Sequence, residues 1–381
     1  MVDWQHHART LAVAVAHPIS RWWPVVAEVP RHVFIPRWFE RAGDGDWTAC
    51  DGRADPQEWA QVAYRDRTVV TRVGADHADA AEPGATVHGH PTSSATLPSL
   101  LLQMYRHSML GDDLDILDAG TGSGYGAALL TARFGDRVLS GDVDPYLVEV
   151  AAARSREAGV PIRARAFDVT GELPGEFDRI VGTFSVSHVP ASWVRALRPG
   201  GRVVVTLTDT GIILVLDKQD DGTLRGVTAW DRAGFMTARQ DDGAHHADEG
   251  RARALTGTGD VHTASFPVVD VAQGWPLWST YNLENPGVRH DFTDDGDGTR
   301  RALMWSDDGS WARAESRDGE LTTITQGGPR RLWDALDVIR ARWLREGDLP
   351  CYGARAKVEP DGTTILWRGR GAWAWKVVRS P

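Results

Sequence analysis

The stretch that most constrains this chain is ILDAGTGSGYGAALL, residues 116–130, in which an apolar strand pattern runs into three alternate glycines and then opens a helix. Gly120, Gly122 and Gly124 let backbone approach a ligand closely, and the helix N-terminus behind them offers N–H groups without intrahelical partners. A plain strand-to-helix turn does not require three alternate glycines. Around this loop the pattern alternates: an apolar helix from Leu100 to Met109, the strand DILDAG, the helix GAALLTARF, the strand RVLSGDV, the helix PYLVEVAAARSREAG, and two further strands, FDRIVGTFS and GRVVVTL. Strands alternating with helices of this length predict an α/β fold with a doubly wound, Rossmann-like parallel sheet.

Two cofactor classes fit the glycines. Gly122, Gly124 and Ala127 satisfy the GxGxxA form of the dinucleotide fingerprint, with Asp142 about twenty residues further on. Other residues favour S-adenosyl-L-methionine. Asp118 stands at the strand end, where it faces the loop and suits a cationic methionine moiety but would repel a pyrophosphate. Asp142, at the end of the second strand, can take both ribose hydroxyls through charge-assisted hydrogen bonds and suits either cofactor. Asp168 lies at the end of the next expected strand, placed for an adenine amino group. The expected cofactor-binding set is Asp118, Gly120, Thr121, Gly122, Ser123, Gly124, Asp142, Val143, Asp168 and Val169.

Charge and composition exclude other partners. A formal charge of −10, with no block of Lys or Arg, argues against a nucleic acid held through its phosphates. Cys50 and Cys351 are isolated, so neither a disulfide framework nor a zinc site is expected. No segment approaches the roughly 20 apolar residues of a membrane span, and the N-terminal apolar run lacks the basic flank of a signal peptide. A cytoplasmic protein is expected, with no membrane partner. His245 and His246, near Asp241, Asp242 and Asp248, read as a polar loop rather than a metal site. His88 and His90 read as ordinary loop histidines.

The chain is expected to divide into an N-terminal segment (1–95) that packs on the core, the core itself (96–245), and a C-terminal α+β module (246–381). After residue 211, Asp-Gly turns in LDKQDDGTLRGV, MWSDDGSWARAESRDGELTTI and KVEPDGTTILWRG predict antiparallel hairpins. Leu332, Leu336, Ile339 and Trp343 recur at helical spacing. The polar run RQDDGAHHADEGRARALTG is expected to be a loop or linker, which sets the boundary near residue 245.

Residues 1–240 resemble the protein-L-isoaspartate O-methyltransferase family through a series of segments in order: EVPRHVFIP, AYRDRTVV, SATLPSLLLQM, LDAGTGSGYGAALL, VLSGDVDPYLVEVA, FDRIVGTFSVSHVP and LRPGGRVVV. The resemblance implies a class I methyltransferase core in which S-adenosyl-L-methionine gives its methyl group to a peptide aspartyl or isoaspartyl carboxylate, leaving S-adenosyl-L-homocysteine. The ester can then collapse to a succinimide and on to isoaspartate. The residues beyond about 245 have no counterpart in that resemblance.

Aligning the family's proline with Pro98 puts Thr96 where the family has a serine, and Met104 on its methionine. Thr96 is therefore the implied catalytic hydroxyl, although its extra methyl narrows the pocket and stiffens χ1. Ser94 falls on another hydroxyl position and could contact substrate or cofactor. Capping stays open beside these roles, because Ser and Thr are favoured N-caps and Pro98 is ordinary helix-start chemistry. The altered segment and the added module together suggest a specialised enzyme that modifies one ribosomally made peptide, such as a lanthipeptide precursor. General repair of isoaspartyl proteins is the alternative, and a peptide-binding scaffold without catalysis is a third.

Overall fold

The computed structural model describes residues 3–42, 46–238, 246–318, 320–347, 352–368 and 373–377. Its centre is a ten-stranded sheet. Strands Ala164–Ala166, Val138–Asp142, Ile116–Ala119, Phe177–Val186 and Leu197–Leu207 are parallel neighbours in that order. The hairpin Ile212–Lys218 and Leu224–Arg232 continues the sheet antiparallel. Every residue of Ile116–Ala119 and Val138–Asp142 is buried, as expected for strands covered by helices on both faces. Ile116–Ala119 lies between Val138–Asp142 and Phe177–Val186, so the winding reverses beside it. The crevice at the carboxyl ends of such strands is where ligands bind in open α/β sheets.

The C-terminal boundary differs from the sequence expectation. Strand Arg355–Val358 pairs with Leu224–Arg232, and Thr364–Arg368 and Trp373–Val377 follow it across the same central sheet. Ala356, Val358, Leu366 and Trp375 pack in one cluster with Leu214, Leu216 and Leu224. The separate module is thus an insertion and not a 246–381 tail. It holds the five-stranded antiparallel sheet from Asp260–Ala264 to Thr322–Gly327 with the helices Trp275–Glu284 and Leu332–Glu346. The Asp-Gly turns identified four of the hairpins locally, but pairing of a hairpin with a distant edge leaves no local signature. His246–Thr256 is also a helix rather than a linker. Its Ala, Glu and Arg content favours helix even without a continuous apolar stripe. Ala254 anchors it against Trp305 and Trp311.

The N-terminal residues build helices Trp4–Val15 and Trp22–Glu28 and a six-stranded sheet that ends in Pro91–Ala95. Leu11, Val26 and Phe34 share a core cluster with Leu101, Tyr105 and Leu129 of the central unit. Arg31 joins the pieces. Its guanidinium is buried, with Nη1 donating to the carbonyls of Ala63 at 2.7 Å and Arg65 at 2.9 Å. Nη2 donates to Arg67, Ala95 and Thr96 at 2.9, 3.4 and 3.1 Å. Burial lowers its pKa to about 10, so the group stays charged at neutral pH.

Arg31→Leu should destabilise the fold by roughly 3 kcal/mol or more, because each buried carbonyl left without its donor costs about 1–3 kcal/mol. Arg31→Lys should recover only part of this, since an ammonium cannot span the same fork. Chemical denaturation midpoints of the two variants provide the check. A chain ending at residue 245 should fail to fold cooperatively, because it loses the strands that cover the Leu224–Arg232 edge; a sharp, wild-type-like unfolding transition would contradict this.

Candidate active site

Strand Pro91–Ala95 delivers Thr96 to the start of helix Pro98–Ser108. The N-cap is Leu97, held in extended backbone as the residue before a proline should be, and it makes no side-chain cap bond. Asp66 does the capping from outside, its Oδ1 accepting the Ser99 N–H at 2.9 Å. Neither Ser94 nor Thr96 caps this helix, which removes the capping alternative and leaves the Thr96 side chain available to the cavity that it lines.

The glycine loop is shaped by close packing. Gly120, Gly122 and Gly124 have φ of +103°, +52° and +92°. A Cβ at Gly120 would meet Thr183 Oγ1 at 2.9 Å, and one at Gly122 would meet the Ser94 carbonyl at 3.3 Å. The segment carrying the two hydroxyls and the glycine loop therefore touch. Gly124 serves a different purpose from the one expected of it. It is the N-cap of helix Tyr125–Phe134, its missing side chain makes room for Ala151, whose Cβ a substituent would meet at 2.7 Å, and it does not line the cavity.

The other predicted residues converge. Ser94, Thr96, Asp118, Gly120, Thr121, Gly122, Ser123, Asp142, Val143, Asp168 and Val169 all line one cavity at the carboxyl ends of the parallel strands. Asp142 Oδ2 accepts the Gly122 N–H and Oδ1 the Asp144 N–H, each at 3.0 Å, which fixes the carboxylate at the strand end. Asp168 lies two residues past strand Ala164–Ala166, with Oδ1 accepting from the Thr170 N–H at 2.8 Å and its hydroxyl at 2.7 Å. Val169 is fixed from behind by the Trp193 indole, which donates to its carbonyl at 2.6 Å.

Asp118 is the most perturbed carboxyl here. It is almost fully buried; Oδ2 accepts from Ser140 Oγ at 2.8 Å, while Oδ1 has no hydrogen-bond partner among the described residues. Desolvation pushes its pKa up to about 7, against the lowering effect of Ser140 and with a smaller push from Asp142. Such a group is half protonated near neutrality and holds an acceptor in reserve for a cation or a donor entering the cavity.

Sequence reasoning missed several walls. Thr92, Thr183, Phe184 and Tyr125 contribute, and so do residues 234–238. The 234–238 segment crosses the end of strand Phe177–Val186, where the Ser185 N–H donates to the Met236 carbonyl and the Ala238 N–H to the Ser185 carbonyl, each at 2.8 Å. Nothing in GFMTA signals this return. His88 pairs with Asp46 at 2.6 Å, and neither it nor His90 lines the cavity. His245, Asp241 and Asp242, read as a polar loop, lie outside the described residues, as do the side chains of His246 and Asp248.

A sheet wound in this order around a glycine loop is the class I methyltransferase fold, and residues 116–204 match the family described as a methyltransferase domain. The chain is similar to protein-L-isoaspartate O-methyltransferases. It is 34% identical over 143 residues to protein-L-isoaspartate O-methyltransferase 1 of Nitrosospira multiformis, a match covering 36% of this chain and 59% of that one. It is 27% identical over 207 residues to protein-L-isoaspartate O-methyltransferase 2 of Syntrophobacter fumaroxidans, covering 53% and 68%. A solved structure described as a protein-L-isoaspartate O-methyltransferase aligns over 98% of both chains with a TM-score of 0.48 and 16% identity. The chain thus spans about three fifths of the length of the first of these relatives. No helix among the described residues is long and apolar enough to cross a membrane.

The raised Asp118 pKa sets a pH dependence. The folded state binds this proton more tightly than the unfolded chain, so the Asp118 contribution to stability falls as pH rises from about 4 through about 7 and is level above that; His32, whose pKa burial lowers to about 4, contributes with the opposite sign over part of the same range. Asp118→Asn should remove the Asp118 contribution, so that the denaturation midpoint at pH 8 moves up relative to that at pH 5 when compared with the wild type; an unchanged relation between the two midpoints would contradict this.

Proposed function

We propose that this chain is an S-adenosylmethionine-dependent carboxyl O-methyltransferase acting on an aspartyl or isoaspartyl carboxylate of a peptide. One observation carries the reading: the Thr96 side chain, which caps nothing, lines the same cavity as the glycine loop and the carboxyls of Asp118, Asp142 and Asp168.

The donor set fits S-adenosylmethionine better than a dinucleotide. Three carboxyls around one cavity oppose a pyrophosphate, whereas the unpartnered Asp118 oxygen suits a cationic methionine tail. Asp142 would take the ribose hydroxyls and Asp168 the adenine edge, with Val143 and Val169 against the base. The bound cofactor supplies an electrophilic methyl group on a sulfonium.

The acceptor needs no general base. A peptide carboxylate with a pKa near ~4 is already ionised at neutral pH, so this chain's task is alignment and exclusion of water. The Thr96 hydroxyl would donate to one carboxylate oxygen and present the other to the methyl group, with Arg31 holding the Thr96 carbonyl and hence the hydroxyl's position. One oxygen–carbon bond forms, the sulfur–methyl bond breaks, and sulfur keeps the electron pair, giving a methyl ester and S-adenosylhomocysteine. Attack on the ester by the following backbone nitrogen then expels methanol and closes a succinimide.

We further infer that the natural acceptor is a ribosomally made precursor peptide in which this sequence installs isoaspartate. The extra methyl of Thr96 and the inserted module support a narrow substrate range. Repair of damaged proteins is the competing reading, favoured by the names of the similar proteins. A generic isoaspartyl peptide separates them: rapid turnover favours repair, and turnover confined to an Asp-containing precursor favours maturation.

Gly122→Val should abolish S-adenosylhomocysteine binding in calorimetry, because the loop has neither the φ range nor the room for a side chain. Thr96→Ala should bind the cofactor normally and slow methyl transfer by about 10²-fold, the scale of a misplaced reactant. Thr96→Ser should recover most of that rate; an unchanged rate in the alanine variant would exclude the hydroxyl from the chemistry.

A further inference from the structure

Beside the cavity that Thr96 lines is a groove that shares two of its walls. Gly234 and Phe235 line both, and the groove adds Leu97, Asp209, Arg232 and Trp275. Leu97 follows Thr96 directly, so the groove begins one residue from the hydroxyl. Asp209 and Thr237 lead on into a third hollow, lined by Trp278, Arg289 and His290 of the inserted module. The insertion thereby forms part of the approach to the site.

The rim of the groove carries a ladder of rings and cations. The Arg232 guanidinium lies 5.8 Å from the Trp275 ring centroid, and Trp275 meets Tyr352 edge-on at 4.2 Å. Tyr352 stacks parallel to Trp230 at 6.3 Å. Trp230 is 73% exposed, an unusual position for the largest apolar side chain. Trp275 is held in place by its indole N–H, which donates to the Thr210 carbonyl at 2.9 Å. Charges nearby are mostly satisfied: Asp231 pairs with His107 at 2.9 Å, and Arg289 with Asp307 at 2.7 Å. Arg232 has no carboxylate partner among the described residues, and the indole beneath it leaves the edge of its fork open to an anion.

Resting on the carboxyl methyltransferase reading above, we propose that the substrate is a peptide carrying an acidic residue near its target carboxylate, and that this second carboxylate docks on Arg232 over Trp275. The chain beyond it runs along Tyr352 and Trp230, where aromatic and apolar side chains find flat partners. Arg and Trp in such a pairing are the side chains that most often dominate binding energy at interfaces. A peptide without the acidic flank forgoes the Arg232 contact and binds more weakly, so the groove converts a general reaction into a selective one.

The test uses the full-length protein with saturating S-adenosylhomocysteine and fluorescein-labelled decapeptides. Each has a central Asp or isoAsp, with Glu or Lys placed in turn at the four positions on either side. Fluorescence anisotropy should show, at one or two positions, at least tenfold tighter binding of the Glu peptide. Arg232→Glu should reverse that order, and Trp230→Ser should weaken both peptides; S-adenosylhomocysteine affinity, measured alongside, controls for folding. Equal binding of Glu and Lys peptides by the wild type, or a Glu preference retained in Arg232→Glu, would overturn the proposal. So would a concentration-dependent dimer in sedimentation that Trp230→Ser dissolves, since a second copy would then own the ladder. Methyl transfer to the same peptides is read separately. Flank-selective binding without turnover keeps the groove and sinks the methyltransferase reading, whereas turnover indifferent to the flank does the reverse.

Discussion

The buried Arg31 guanidinium is the contact on which the rest of the arrangement depends. A charge taken wholly out of water is tolerable only when it is well hydrogen-bonded, and here the two terminal nitrogens donate to five carbonyls from two stretches of the chain, residues 63–67 and 95–96. Those carbonyls belong to the end of helix Pro56–Ala63 and the loop after it, and to the residues that open helix Pro98–Ser108. The same loop sends Asp66 to the helix N-terminus. The N-terminal segment therefore helps to set the position of Thr96, whose own carbonyl Arg31 holds and whose helix Asp66 caps three residues further on.

That arrangement explains how one cavity serves two tasks. Asp118 and Asp142 belong to strands buried on both faces, the glycine loop follows the first of these strands, and Asp168 stands exposed just past the edge strand. Thr96 arrives on a different layer and is brought to the loop by contact of the Ser94 carbonyl with Gly122. Residues 234–238 close the remaining side by hydrogen bonding to the end of strand Phe177–Val186. The inserted module then reaches the neighbouring hollows through Trp275 and Trp278.

Much of the core was legible because its signals are local. The strand, glycines and helix of ILDAGTGSGYGAALL must turn in one way, and acids at the ends of successive parallel strands must meet at one edge of the sheet. Nine of the ten residues expected to hold the cofactor line the cavity for that reason, whereas Ser94 and Thr96, which line it too, were placed by the resemblance around Pro98. Gly124 shows the limit: three glycines at equal spacing look alike, yet only packing against Ala151 shows that the third supports the loop from behind. Thr96 could be read as a cap until the cap was seen to come from Asp66, thirty-three residues away.

By itself the sequence determined the doubly wound sheet, the glycine loop and its acids, the helix that follows Thr96, and the hairpins closed by Asp-Gly turns in LDKQDDGTLRGV, MWSDDGSWARAESRDGELTTI and KVEPDGTTILWRG, because periodicity, turn chemistry and strand-end position act within a few residues. Tertiary structure alone decided that the last three strands return to the central sheet, that the module is an insertion, that GFMTA walls the cavity, and that Asp118 keeps a proton near neutrality. Each of these depends on pairing or burial against residues distant in the chain. An open strand edge or a desolvated carboxyl has no composition of its own and is defined only by what folds over it.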